Sequence, residues 1–136
     1  MGYWGVKSYE GDDAADALDA GFAHVHGSQY EEMMDDRNSF SFEQVQAQLA
    51  RPETLAAAIK SLSESAAETL EDWDDEERLA FVGVVVRHAE LNVPIPDDLR
   101  QQALDWLEHE EIDWDDATLR RLRRQKEIEL LRQAGS

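Results

Sequence analysis

The chain has no cysteine among its 136 residues. A disulfide scaffold, a zinc–thiolate centre and a cysteine nucleophile are therefore excluded. Positive charge is scarce: 13 Lys and Arg face 31 Asp and Glu, for a formal net charge of −18. Holding a phosphate backbone needs a basic footprint, so nucleic acid is not an expected partner. No apolar run approaches the length of a membrane span, and no membrane association is expected. No charged segment followed by an apolar one opens the sequence, so the expected location is the cytoplasm. No nucleophile elbow, no H-E-x-x-H and no phosphate-cradling glycine loop occurs. No cofactor is implied, and a non-catalytic protein is expected ahead of an enzyme.

What is present is enough for a core. Hydrophobic residues make up 42% of the chain, just under the usual globular share, and charged residues 32%, above it. The length suits one domain. Period-2 alternation is absent, while apolar residues recur at helical spacing in most segments. An all-α bundle of about six or seven helices over residues 1–136 follows, with short connections and one core.

The first eleven residues, MGYWGVKSYEG, hold Tyr3, Trp4 and Tyr9 among glycines. That many aromatics are costly to leave in water, so an extended arm lying on the domain is expected. Asp12 or Asp13 can cap a first helix, whose face is Ala14, Leu18, Phe22 and Val25. Ser28 with Glu31 and Ser41 with Gln44 read as capping boxes for two further helices. Pro52 suits the first turn of a fourth, with Leu55, Ile59 and Leu62 inward. Residues 63–72 read as a frayed helix end or a loop. The run Leu79 to Val86 is apolar all round; its valines and Phe81 also fit a buried strand, but the length and acidic start of the segment favour a helix at the centre of a bundle. Pro96, Asp97 and Asp98 open the next helix, with Leu99, Ala103, Trp106 and Leu107 inward. The last helix runs from about Asp115, with Leu119, Leu122, Ile128 and Leu131 as its apolar set.

The string DWDD occurs twice, at 72–75 and 113–116. Each copy precedes a helix, where acids satisfy open amide groups and favour the dipole. If the two tryptophans are exposed, Trp73 and Trp114 are candidate contact residues, because Trp is enriched at interfaces. Charge is also uneven. Residues 117–136 carry six bases and two acids, so the first 116 residues hold −22 against +4. A basic end on an acidic body is expected to fold back onto it. The other reading leaves Arg120, Arg121, Arg123 and Arg124 as a free face for a partner or a second copy.

Chemistry-bearing residues are few. His24 and His26 form H-x-H, but positions i and i+2 diverge on a helix. Glu31 and Asp35 lie four apart, as oxygen ligands for a divalent cation would. Together these four are the candidate metal residues, and a metal-binding protein or metal-dependent hydrolase is one alternative function. His88 follows the buried run and reads as a satisfied structural histidine. The excess of acid makes a basic protein surface the expected partner, for instance as an inhibitor or immunity-type protein. A structural homo-oligomer is the remaining alternative.

One segment resembles a known family. Met1, Gly2, Trp4, Gly5, Tyr9, Asp12 or Asp13, Ala15, Asp16 and Leu18 follow a pattern that opens members of the bacterial domain of unknown function 4259. Members often have Phe at the position of Tyr9 and Asn at that of Gly11. Ala17 departs from the second aromatic common there. The resemblance covers about the first twenty residues. It implies a small single-domain bacterial protein and brings no activity, cofactor or catalytic residue with it.

Overall fold

The structure is a computed structural model. It describes residues 7–35, 37, 40–66, 68–110, 112 and 117–134. Among these the chain is all-helical, with no strand. The elements are α1 (Asp12–His26), α2 (Ser28–Met33), α3 (Phe42–Leu49), α4 (Pro52–Ser65), α5 (Asp75–Glu90), α6 (Asp97–Glu108) and α7 (Ala117–Ala134). A 3-10 turn at Leu70–Asp72 lies in the 63–72 stretch.

Helix starts follow local chemistry in most places. Ser41 and Gln44 form a reciprocal capping box, and so do Asp74 and Glu77. Pro52 occupies the first turn of α4, where its missing N–H is not needed. Two starts differ from expectation. Gly11, not an aspartate side chain, caps α1, leaving Asp12 and Asp13 in the first turn. Gly27, not Ser28, joins α1 to α2 with φ of 54°. That backbone conformation strains any residue with a Cβ, so glycine lets α2 turn away from α1 without a linker.

The central helix is α5. Every residue from Leu79 to Val86 is buried. It packs against α1 and α4 on one side and α6 and α7 on the other. One contiguous cluster forms the core, including Leu18, Phe22, Leu55, Val84, Leu107 and Leu131. Helices α1 and α4 approach closely at Gly21, where a Cβ would stand 2.7 Å from the Thr54 carbonyl oxygen and 2.9 Å from the Ala58 Cβ. Gly83 plays the same part for the early segment: a Cβ there would lie 2.5 Å from the Ser8 carbonyl oxygen.

Of the expected extended arm, residues 1–6, with Tyr3 and Trp4, lie outside the described residues. Residues 7–10 form a turn, closed by Glu10 N donating to the Lys7 carbonyl at 2.9 Å. The apolar set expected on α7 is only half right. Ile128 and Leu131 are buried, but Leu119 is 55% exposed and Leu122 61%. Helix α7 turns Arg120 and Glu127 inward instead, and both are fully buried.

Candidate functional site

Three groups of residues could carry function: the acids at the start of α1 and α5, the cations of α7, and the histidines. The acids form a concavity. Asp13, Asp16 and Ala17 of α1, Ser61 and Leu62 of α4, Trp73, and Glu77 of α5 line an open cleft of about 280 Å³. Its position follows from the folding of each end. Asp12 and Asp13 occupy the first turn of α1, and Asp74 and Glu77 cap α5. Because α1 packs on both α4 and α5, two acidic helix starts come together. Asp13 shows the result. Partial burial raises its pKa, and the negative charges of Asp16, Asp74, Asp12 and Glu77 raise it further. Among the described residues Asp13 and Asp16 make no ion pair.

The cleft has an apolar edge. Leu62 is 8% exposed and Trp73 4%. Trp73 therefore does not stand out as a contact residue. Its ring centre lies 6.1 Å from that of Phe81 and 5.7 Å from that of Trp106, with Phe81 edge-on to both. Arg78 covers the Trp106 ring, 5.6 Å from its centre. Trp114, the other candidate, lies outside the described residues.

The α7 cations are mostly spoken for. Arg120 is fully buried and donates to Glu110 Oε1 at 2.6 Å and Glu127 Oε1 at 3.0 Å. Burial disfavours its charge, but the two carboxylates outweigh that and hold its pKa up. Arg123 reaches Glu90 at 2.8 Å and Glu127 at 3.2 Å. Arg124 donates to the Glu110 carbonyl at 3.0 Å. Glu127 Oε2 also accepts from the Ser8 amide and the Ser8 hydroxyl, both at 2.9 Å. Tyr9 donates to Glu90 at 3.2 Å, and its ring lies 5.4 Å from the Arg87 guanidinium. Burial and Glu90 both raise the Tyr9 pKa, so its hydroxyl remains a donor. A network of alternating charge thus ties the early turn to α5 and α7. Of the four arginines named from sequence, Arg121 alone is exposed and without a partner among the described residues.

The metal candidates stay apart. His24 is exposed, and His26 donates Nε2 to the Leu49 carbonyl at 2.6 Å. Glu31 is exposed, and Asp35 pairs with Arg37 at 2.8 Å. Among the described residues, no three His, Cys, Asp or Glu form a group able to hold a metal. The helical divergence of H-x-H is the reason on α1.

His88 is fully buried. The Val84 carbonyl can only accept, so Nδ1 donates to it at 2.9 Å. Nε2, 2.8 Å from the Thr54 hydroxyl, is then the acceptor. Burial pushes the imidazole pKa down to about 4, with the Val84 hydrogen bond opposing and Arg87 adding to the shift. The ring stacks on Phe22 with centres 6.0 Å apart. This is a satisfied neutral core histidine with no open path to act as a base.

The cleft was not read from the sequence, because its residues come from three helices. The nearest local signal was the pairing of acids at both helix starts. Compared with known proteins, the chain matches no family model, no curated sequence and no solved structure.

Proposed function

We propose that this is a small acidic helical protein without catalytic activity that docks a basic protein partner at the Asp13–Asp16–Glu77 cleft. An inhibitor or immunity-type role fits that chemistry. The observation that carries the reading is the gathering of like charge around Asp13, which with Asp16 makes no ion pair among the described residues. Five carboxylates held together repel one another, and a Lys or Arg side chain entering the cleft relieves that repulsion. The folding-back of Arg120 and Arg123 supports the same direction, since most of the basic end is neutralised within the molecule. The proposal places the protein in the cytoplasm and assigns it no cofactor. No helix among the described residues is long and apolar enough to cross a membrane. The resemblance of the first twenty residues to the domain of unknown function 4259 adds no activity to this reading.

An arginine-rich peptide titrated into labelled protein tests it. Amide shifts are expected around residues 12–16, 61–62 and 73–77. Asp13→Asn with Asp16→Asn is expected to weaken the peptide about tenfold, since exposed ion pairs contribute roughly 0.2–1 kcal/mol each. Bound peptide also returns the Asp13 carboxyl toward the ordinary carboxylate range, which carboxylate carbon shifts read directly. A peptide that binds the double variant as well as the wild type would remove the cleft from the proposal.

A further inference from the structure

Helix α7 has two apolar stripes. At about 100° per residue, Leu119 and Leu122 centre on one side, and Ile128 and Leu131 on the opposite side. The second stripe is buried in the core. The first faces outward, with exposures of 55% and 61%, the largest among the exposed large hydrophobic side chains described. Rotation cannot hide it. Arg120 is locked to Glu110 and Glu127, and Glu127 to Ser8. Rolling Leu119 inward would break that network.

The outward stripe carries a cation. Lys126 lies one turn beyond Leu122 on the same stripe. It is exposed and makes no ion pair among the described residues, whereas Glu129 on the same side accepts from Gln125 at 3.3 Å. On a molecule of net charge −18, this places apolar surface beside an unpaired cation. The cleft presents the complement: Asp13, Asp16 and Glu77 around Ala17, Leu62 and Trp73.

We infer that the Leu119–Leu122 stripe of one copy docks at the acidic cleft of a second copy of this chain. The inference rests on the cleft being the docking site proposed above, and gives it a second copy in place of a separate basic protein. The contact is heterologous, because stripe and cleft are different surfaces. Each paired copy therefore keeps one open surface, and assembly continues unless it closes into a ring. Repulsion between the two acidic bodies restrains it. At physiological salt, charges more than about 8 Å apart are largely screened while contacting charges are not. Association is weak and grows with concentration.

Sedimentation velocity from about 10 μM to about 1 mM, the range of weak complexes, tests this. The wild-type average mass rises with concentration. A stripe variant, Leu119→Ser with Leu122→Ser, and a cleft variant, Asp13→Asn with Asp16→Asn, each stay monomeric. All four positions are exposed, so unchanged circular dichroism is expected of both, with a melting temperature no lower than wild type for the cleft variant, which loses two mutually repelling charges. An equimolar mixture of the two stops at the dimer, because it contains one intact stripe and one intact cleft. Lys126→Glu, which leaves the apolar surface in place, weakens association about tenfold. A wild-type protein that is monomeric throughout the range overturns the inference, and so does a cleft variant that associates as the wild type does. The arginine-rich peptide separates the two readings. A monomeric protein that binds it at the cleft leaves the proposed function standing alone, and one that does neither overturns both.

Discussion

At the scale of single residues, burial of titratable groups decides what pH does to this protein. His88 is held neutral, with its pKa pushed from 6.5 to about 4 by burial. The unfolded chain takes up the proton first as pH falls. The contribution is fully present above pH 6.5 and is lost progressively down to about pH 4. The loss attributable to His88 is about 3 kcal/mol across that window. Urea unfolding of wild type and His88→Gln at several pH values isolates it, because the carboxylates titrate alike in both. Parallel profiles would remove His88 from the account. Glu127 poses the opposite case, a charge buried with its partners. Glu127→Leu leaves Arg120 buried with one carboxylate fewer and is expected to cost about 3–5 kcal/mol. Adding Arg120→Leu should recover part of that loss, measured in the same urea experiment. His88 was legible, since a lone histidine after an apolar run is most simply a core residue. Arg120 was not, because an arginine in a basic stretch looks solvated. The spacing of Arg120 and Arg123 to Glu127, seven and four residues, was the signal for it.

Among the helices, three starts were written in local sequence: Ser41 with Gln44, Pro52, and the acids that precede α5. Local hydrogen-bond chemistry sets these, so a local reading finds them. The central place of α5 was legible for a similar reason, as a helix apolar all round can only be interior. The rotation of α7 was not. Its sequence offers two apolar stripes, and the choice between them is made by Glu110, Glu90 and Ser8 on other elements. Close approach of helices was equally hidden, because a glycine inside a helix does not say what lies opposite. Gly21 makes the α1–α4 crossing possible, and Gly21→Ala would push a methyl group against the Thr54 carbonyl and Ala58. A loss of about 1–3 kcal/mol is expected, as for other overpacked cores. Chemical unfolding checks it. A neutral substitution would mean that the two helices can part without cost.

For the molecule as a whole, net charge is the dominant variable. A formal charge of −18 on a body this size favours expansion, and salt weakens that self-repulsion. The melting temperature is expected to rise as salt goes from about 0.01 M to about 0.5 M, over which the screening length falls several-fold. The exposed pairs Arg37–Asp35, Arg100–Asp97 and Arg132–Glu108 lose strength over the same range, but such pairs contribute little. The buried Arg120 network is not screened. A melting temperature that falls with salt would show that ion pairs, not repulsion, dominate. Composition made this property plain. The cleft needed the packing of α1 on α4 and α5, which no segment encodes alone.

The tie between Ser8 and Glu127 has a consequence in time. The two residues are 119 positions apart, and synthesis starts from the side of Ser8. At about 5–20 residues per second, Ser8 waits roughly 6–24 s for its carboxylate to be made. Gly83 is made during that interval, and from then until Glu127 follows, its surface is present while the clasp is missing. The early turn stays open on the ribosome until Glu127 of α7 has been made.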